Sequence, residues 1–98
     1  MLGDWLDLHT SQAPAALKDR VRDYAMASQS SSLQAGLAAA AQAALAQALG
    51  HPADRTAALD LLAADALITL ALLAQSQDAP EHLEEFATQV LRSTRPPA

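Results

Sequence analysis

Two valines and one isoleucine are the only branched aliphatic residues beside leucine in a chain of 98, and that scarcity removes most folds from consideration. Sheets are built mainly from β-branched and aromatic side chains, and aromatics make up only 3% here. In their place stand 25 alanines and 17 leucines, with Gln and Glu, all strong helix formers. The chain is therefore expected to be all-α. Half of its 51% hydrophobic content is alanine, so leucine supplies most of the burial. Val21, Val90, Ile68, Phe86, Trp5 and Tyr24 add to it. A leucine-on-alanine core favours close helix packing. The length implies one domain over residues 1–98, with a single modest core.

The formal net charge is −5 at pH 7. That balance argues against nucleic acid, whose phosphates need a basic patch, and against an anionic membrane surface. The one basic cluster, Lys18, Arg20 and Arg22, is interleaved with Asp19 and Asp23 and reads as a salt-bridged solvent face. With no cysteine there is no disulfide framework, thiol nucleophile or thiolate metal site. The chain begins Met1-Leu2-Gly3-Asp4, with an acid where a secretory signal needs cations, so a cytoplasmic location is expected. The longest uncharged apolar stretch, residues 66–74, is too short to span a bilayer.

Five helical segments emerge from the periodicity. Residues 2–9 place Leu2, Trp5, Leu6 and His9 on one side, with Asp4 and Asp7 suited to the first turn. Pro14 opens a helix over 14–27 with a stripe of Leu17, Val21, Tyr24 and Ala25. Ser31 and Gln34 match a capping box for a helix over 32–49. There Leu33, Leu37, Leu45 and Leu49 fall within an arc of about 160°, and alanines fill much of the opposite side. Gly50 and Pro52 end it. In the segment 53–76, leucines and Ile68 point in nearly all directions, so neighbours must bury it. Leu62, Leu70 and Leu73 are expected fully inside. The last helix, over 80–92, has Asp78 as N-cap with Glu81 completing a box, and a stripe of Leu83, Phe86, Ala87, Val90 and Leu91.

Candidate chemistry is thin. His9, His51 and His82 lie in three different segments. Only His82 with Glu85 has a ligand-like spacing, and it reads as a solvated acidic helix start. Asp60 and Asp65 lie among apolar residues, and a buried carboxylate needs a partner. Their i, i+5 spacing sets them about 140° apart, so they do not form an acid–base pair. Asp65 could reach Thr69, or Arg20, Arg22 or Arg55. No G-x-S-x-G elbow and no glycine-rich phosphate loop is present. Trp5 suits either a binding anchor or a lid on a small core.

These readings converge on a compact bundle of four main helices, with a short N-terminal helix carrying Trp5 across one end. No cofactor, metal or catalytic residue is assigned. The function expected is a non-enzymatic interaction module that self-associates as a homodimer, or binds another protein, through leftover leucine and alanine surface. The alternative is a small-ligand-binding protein or enzyme, with a pocket between helices lined by Tyr24, His9 and Asp65. Trp5, His9, Tyr24 and Asp65 are thus the candidate partner or pocket residues.

Overall fold

Alanine and leucine do what their propensities demand: in the computed structural model, which describes residues 2–50 and 55–94, 88% of those residues are helical and none is in a strand. In order they form α1 (Leu2–His9), α2 (Ala15–Ala27), α3 (Leu33–Gly50) and α4 (Arg55–Asp78). A single 3₁₀ turn (Pro80–His82) then leads into α5 (Leu83–Thr94). Pro52 and the expected start of the fourth helix at residues 53–54 lie outside the described residues.

The centre is the α3–α4 hairpin. Its seam is made of small side chains: Ala40, Ala41, Ala44 and Ala48 on α3, and Ala57, Ala63, Ala64, Ala71 and Ala74 on α4, are all buried. Small side chains at a helix contact let the two backbones approach closely. Leu37 and Leu67, with 1% and 0% exposure, supply the large side chains between them. Val21 and Ala25 of α2 and Leu6 of α1 complete the buried cluster. Helix α5 buries no residue fully; Phe86 and Val90 rest half-buried against the core.

Two caps differ from expectation. The α3 cap is Ser32, whose Oγ accepts from the Ala35 amide at 3.2 Å, rather than Ser31. Asp78 does not cap the last helix: it is the final residue of α4, and Ala79 precedes the 3₁₀ turn with no side-chain cap bond. Instead the amide of Gln34 donates to Oδ2 of Asp78 at 2.9 Å. Both polar side chains expected to close their own helices are used on each other, and they pin the start of α3 to the end of α4.

The burial of α4 is one-sided. Leu70 is inside, at 6% exposure, but Leu62 is 56% exposed and Leu73 half-buried. The reason is the shape. The molecule measures 40 × 37 × 20 Å, and 20 Å is about two helix diameters. In such a slab the small-residue stripe of α4 faces α3, while Leu62, about 160° round from Asp60 at 100° per residue, faces out. The alanine side of α3 that carries Ala39, Ala43 and Ala46 is exposed too. By length and composition α4 is also long and apolar enough to cross a membrane, which the charge-free stretch 66–74 alone did not reveal.

Candidate interaction surface

The outer face of α4 follows from its phase. Positions that share a side with Leu62 at i±3 and i±4 are Ala58, Leu59, Asp65 and Ala66; Ala58, Leu62 and Asp65 are exposed, and Leu59 and Ala66 half-buried. Beside them a groove of about 590 Å³ is bounded by α3, α4 and α5. Leu45, Leu61, Leu62, Ile68, Leu72, Val90 and Leu91 line it, and Asp65 is its one charged residue. Leu61, Leu62 and Leu91 are 54%, 56% and 57% exposed. Three half-exposed leucines around one groove form a contiguous apolar surface of the kind a soluble domain usually reserves for a partner.

Asp60 is the buried carboxylate. It is 3% exposed, accepts from the Tyr24 hydroxyl at 3.0 Å, and has Nε of Arg20 at 3.6 Å. Burial holds the Tyr24 phenol above its usual pKa of 10.0; the hydrogen bond and negative charge of Asp60 add to this, and the Arg20 charge opposes it. These three groups border a recess of about 490 Å³ with Asp23, Gln47 and Thr56. Among the described residues no buried side-chain N or O lacks a hydrogen bond, so no buried atom of this cluster is left unpartnered.

The four candidate residues do not converge. Tyr24 pairs with Asp60. Asp65 is exposed on the outer face of α4, where Thr69 donates to its backbone carbonyl rather than to its carboxylate, at 3.0 Å. Of its expected arginine partners, Arg20 serves Asp60 and Arg22 serves Asp7 at 3.0 Å. Trp5 and His9 do meet, stacked with ring centroids 4.2 Å apart. The Trp5 indole donates to Oε1 of Gln77 at 3.3 Å, and the Gln77 amide lies 3.4 Å from Nε2 of His9. Trp5 is thus the clasp holding α1 to the end of α4. His82 and Glu85 form an exposed pair 3.7 Å apart. Among the described residues no three His, Asp or Glu side chains gather as a metal site would need.

Sequence reasoning missed Leu61, Leu62 and Leu91 as surface residues. For Leu61 and Leu62 the available signal was the three- and four-residue spacing of Ala57, Asp60, Ala64, Leu67, Ala71 and Ala74, which marks the inner side of α4 and leaves those two leucines over. Comparison with known protein families, characterised proteins and solved structures returns no match.

Proposed function

We propose that this chain is a non-enzymatic interaction module that pairs with a second copy of itself through the outer face of α4 and the adjoining groove. The observation that carries the reading is the set of half-exposed leucines, Leu61, Leu62 and Leu91, around one groove. Packing that face removes apolar surface from water at about 25 cal/mol per Å². A two-fold dimer needs only one self-complementary patch, and it would cover α4 on the side that α3 leaves open. That no buried atom of the Arg20–Tyr24–Asp60 cluster is left unpartnered supports a structural rather than a catalytic role for the one buried carboxylate.

Sedimentation equilibrium of the full chain, from about 1 to 200 μM, tests this. A mass approaching twice 10.2 kDa is expected, and Leu62→Arg should hold the chain at the monomer mass. A monomer at every concentration overturns the reading. If that monomer also co-floats with neutral lipid vesicles, the α4 face meets a bilayer instead.

A further inference from the structure

We infer that the second copy docks with its α4 antiparallel to the first, about a two-fold axis level with residue 60, so that Arg55 of each copy meets Asp65 of the other. The inference rests on the self-pairing proposed above and adds its register.

The argument starts from helix geometry, with about 100° and 1.5 Å per residue. Take the line on α4 directly opposite the buried Asp60. Ala58 and Leu62 lie about 20° to either side of it, and Arg55 and Asp65 about 40° to either side. All four are exposed. The pairs 55 with 65 and 58 with 62 are each centred on position 60. A helix turned end over end about that level therefore presents the same face, with Arg where Asp stood and Ala where Leu stood. Size and charge are both self-complementary.

Within one copy the two charges cannot meet, because ten residues separate them by about 15 Å along the axis. Among the described residues the arginine–carboxylate pairs join Arg20 to Asp60 and Arg22 to Asp7, and neither Arg55 nor Asp65 enters one. Other registers fare worse. A parallel pair sets Arg55 against Arg55, and an axis level with residue 65 sets Asp65 against Asp65; like charges in close contact are costly. The inferred register makes two opposite-charge pairs and lets each Leu62 pack over the partner's Ala58, which a helix separation of 8–10 Å accommodates. Leu61 lies about 80° round from the centre line, toward the groove that Leu91 also lines. A two-fold axis perpendicular to the helix pair brings that same side of both copies together, so the two grooves join into one apolar band.

Charge reversal tests the register separately from the pairing. Arg55→Asp and Asp65→Arg, each alone, should weaken the dimer by about tenfold or more, because each reverses two contacts at once. The double variant Arg55→Asp/Asp65→Arg should return to within about threefold of the original. Both positions are exposed, and far-ultraviolet circular dichroism checks that each variant keeps its helices. The chain has no cysteine, which permits a second readout. An Ala58→Cys chain mixed with a tagged Leu62→Cys chain should oxidise to a mixed disulfide-linked dimer. A dimer whose strength ignores every charge variant, with no 58–62 cross-link, overturns the register and leaves self-pairing intact. A chain monomeric throughout overturns both.

Discussion

The hydroxyl of Tyr24 on α2 and the carboxylate of Asp60 on α4, 36 positions apart in the chain, meet at 3.0 Å and form the polar pin between those two helices. A hydrogen bond to a charged acceptor contributes more than a neutral one. Tyr24→Phe removes the donor and leaves an almost fully buried carboxylate with Arg20 alone. A loss of about 1–2 kcal/mol in unfolding free energy is expected from urea titration at pH 7; no measurable loss would mean that solvent replaces the phenol without penalty.

The same pair sets an alkaline limit. In the unfolded chain a tyrosine phenol titrates near pH 10, and in the fold burial and Asp60 hold it higher. Between the two values the folded state keeps a proton that the unfolded state has released, so stability falls as pH rises. The contribution is whole below about pH 10 and is lost as pH climbs through the raised folded value. Unfolding free energies at pH 9 and 11 should therefore drop further for the native chain than for Tyr24→Phe; equal drops would remove Tyr24 as the cause.

Leucines on the two sides of α4 should behave oppositely. Leu70→Ala opens a cavity beside Leu67 and should cost about 2–5 kcal/mol. Leu62→Ala should change the monomer's stability by no more than about 0.5 kcal/mol while weakening self-association. Thermal unfolding at low concentration separates the two, and a large loss for Leu62→Ala would place that side chain inside.

The alanine seam should resist enlargement. Ala44 is fully buried at the α3–α4 contact, so Ala44→Leu forces the helices apart and should cost about 1–3 kcal/mol or more. Ala46, exposed two positions on, should accept leucine with little change. Similar midpoints for both variants would show that the hairpin is not held by close approach.

Two glycines of α3 should also diverge, although alanine is the better helix former by about 1 kcal/mol. A Cβ on Gly36 would stand 3.1 Å from the Ser28 carbonyl and 3.3 Å from the Ser30 amide nitrogen, both backbone atoms with little freedom to yield. Gly36→Ala is expected to gain nothing or to destabilise. A Cβ on Gly50 meets nothing within 4 Å, and Gly50→Ala should stabilise by about 0.4–1 kcal/mol.

Helix class and approximate helix positions were readable because alanine, leucine and their spacing leave few alternatives. Side assignment within α4 was not, because leucine count misled where alanine placement would have guided. Ala57, Ala64, Leu67, Ala71 and Ala74 repeat at three- and four-residue steps with Asp60 among them. That run marks Asp60, rather than Asp65, as the carboxylate needing partners. Tyr24 was rightly seen as pointing inward, but its partner lies across a helix interface that periodicity within one segment does not reveal. The caps failed for a similar reason. Gln34 and Asp78 fit local motifs, yet the bond between them, 44 positions apart, satisfies both side chains across helices.

The clasp at Trp5 has a consequence for how the molecule opens. Helix α1 is eight residues long, too short to persist alone in water, and it contributes one fully buried side chain, Leu6. Beyond Leu6, the half-buried contacts of Leu2 and Trp5, the Gln77 bond and an exposed Arg22–Asp7 pair tie it down. Its detachment is therefore a sub-global event with a free energy well below that of unfolding the α3–α4 hairpin. Native-state hydrogen exchange should show the α1 amides protected least, and exchanging together. Their departure would uncover Val21, Ala25 and Leu37, which cluster with Leu6, while the rest of the chain stays folded, a second and transient apolar surface on α2 and α3.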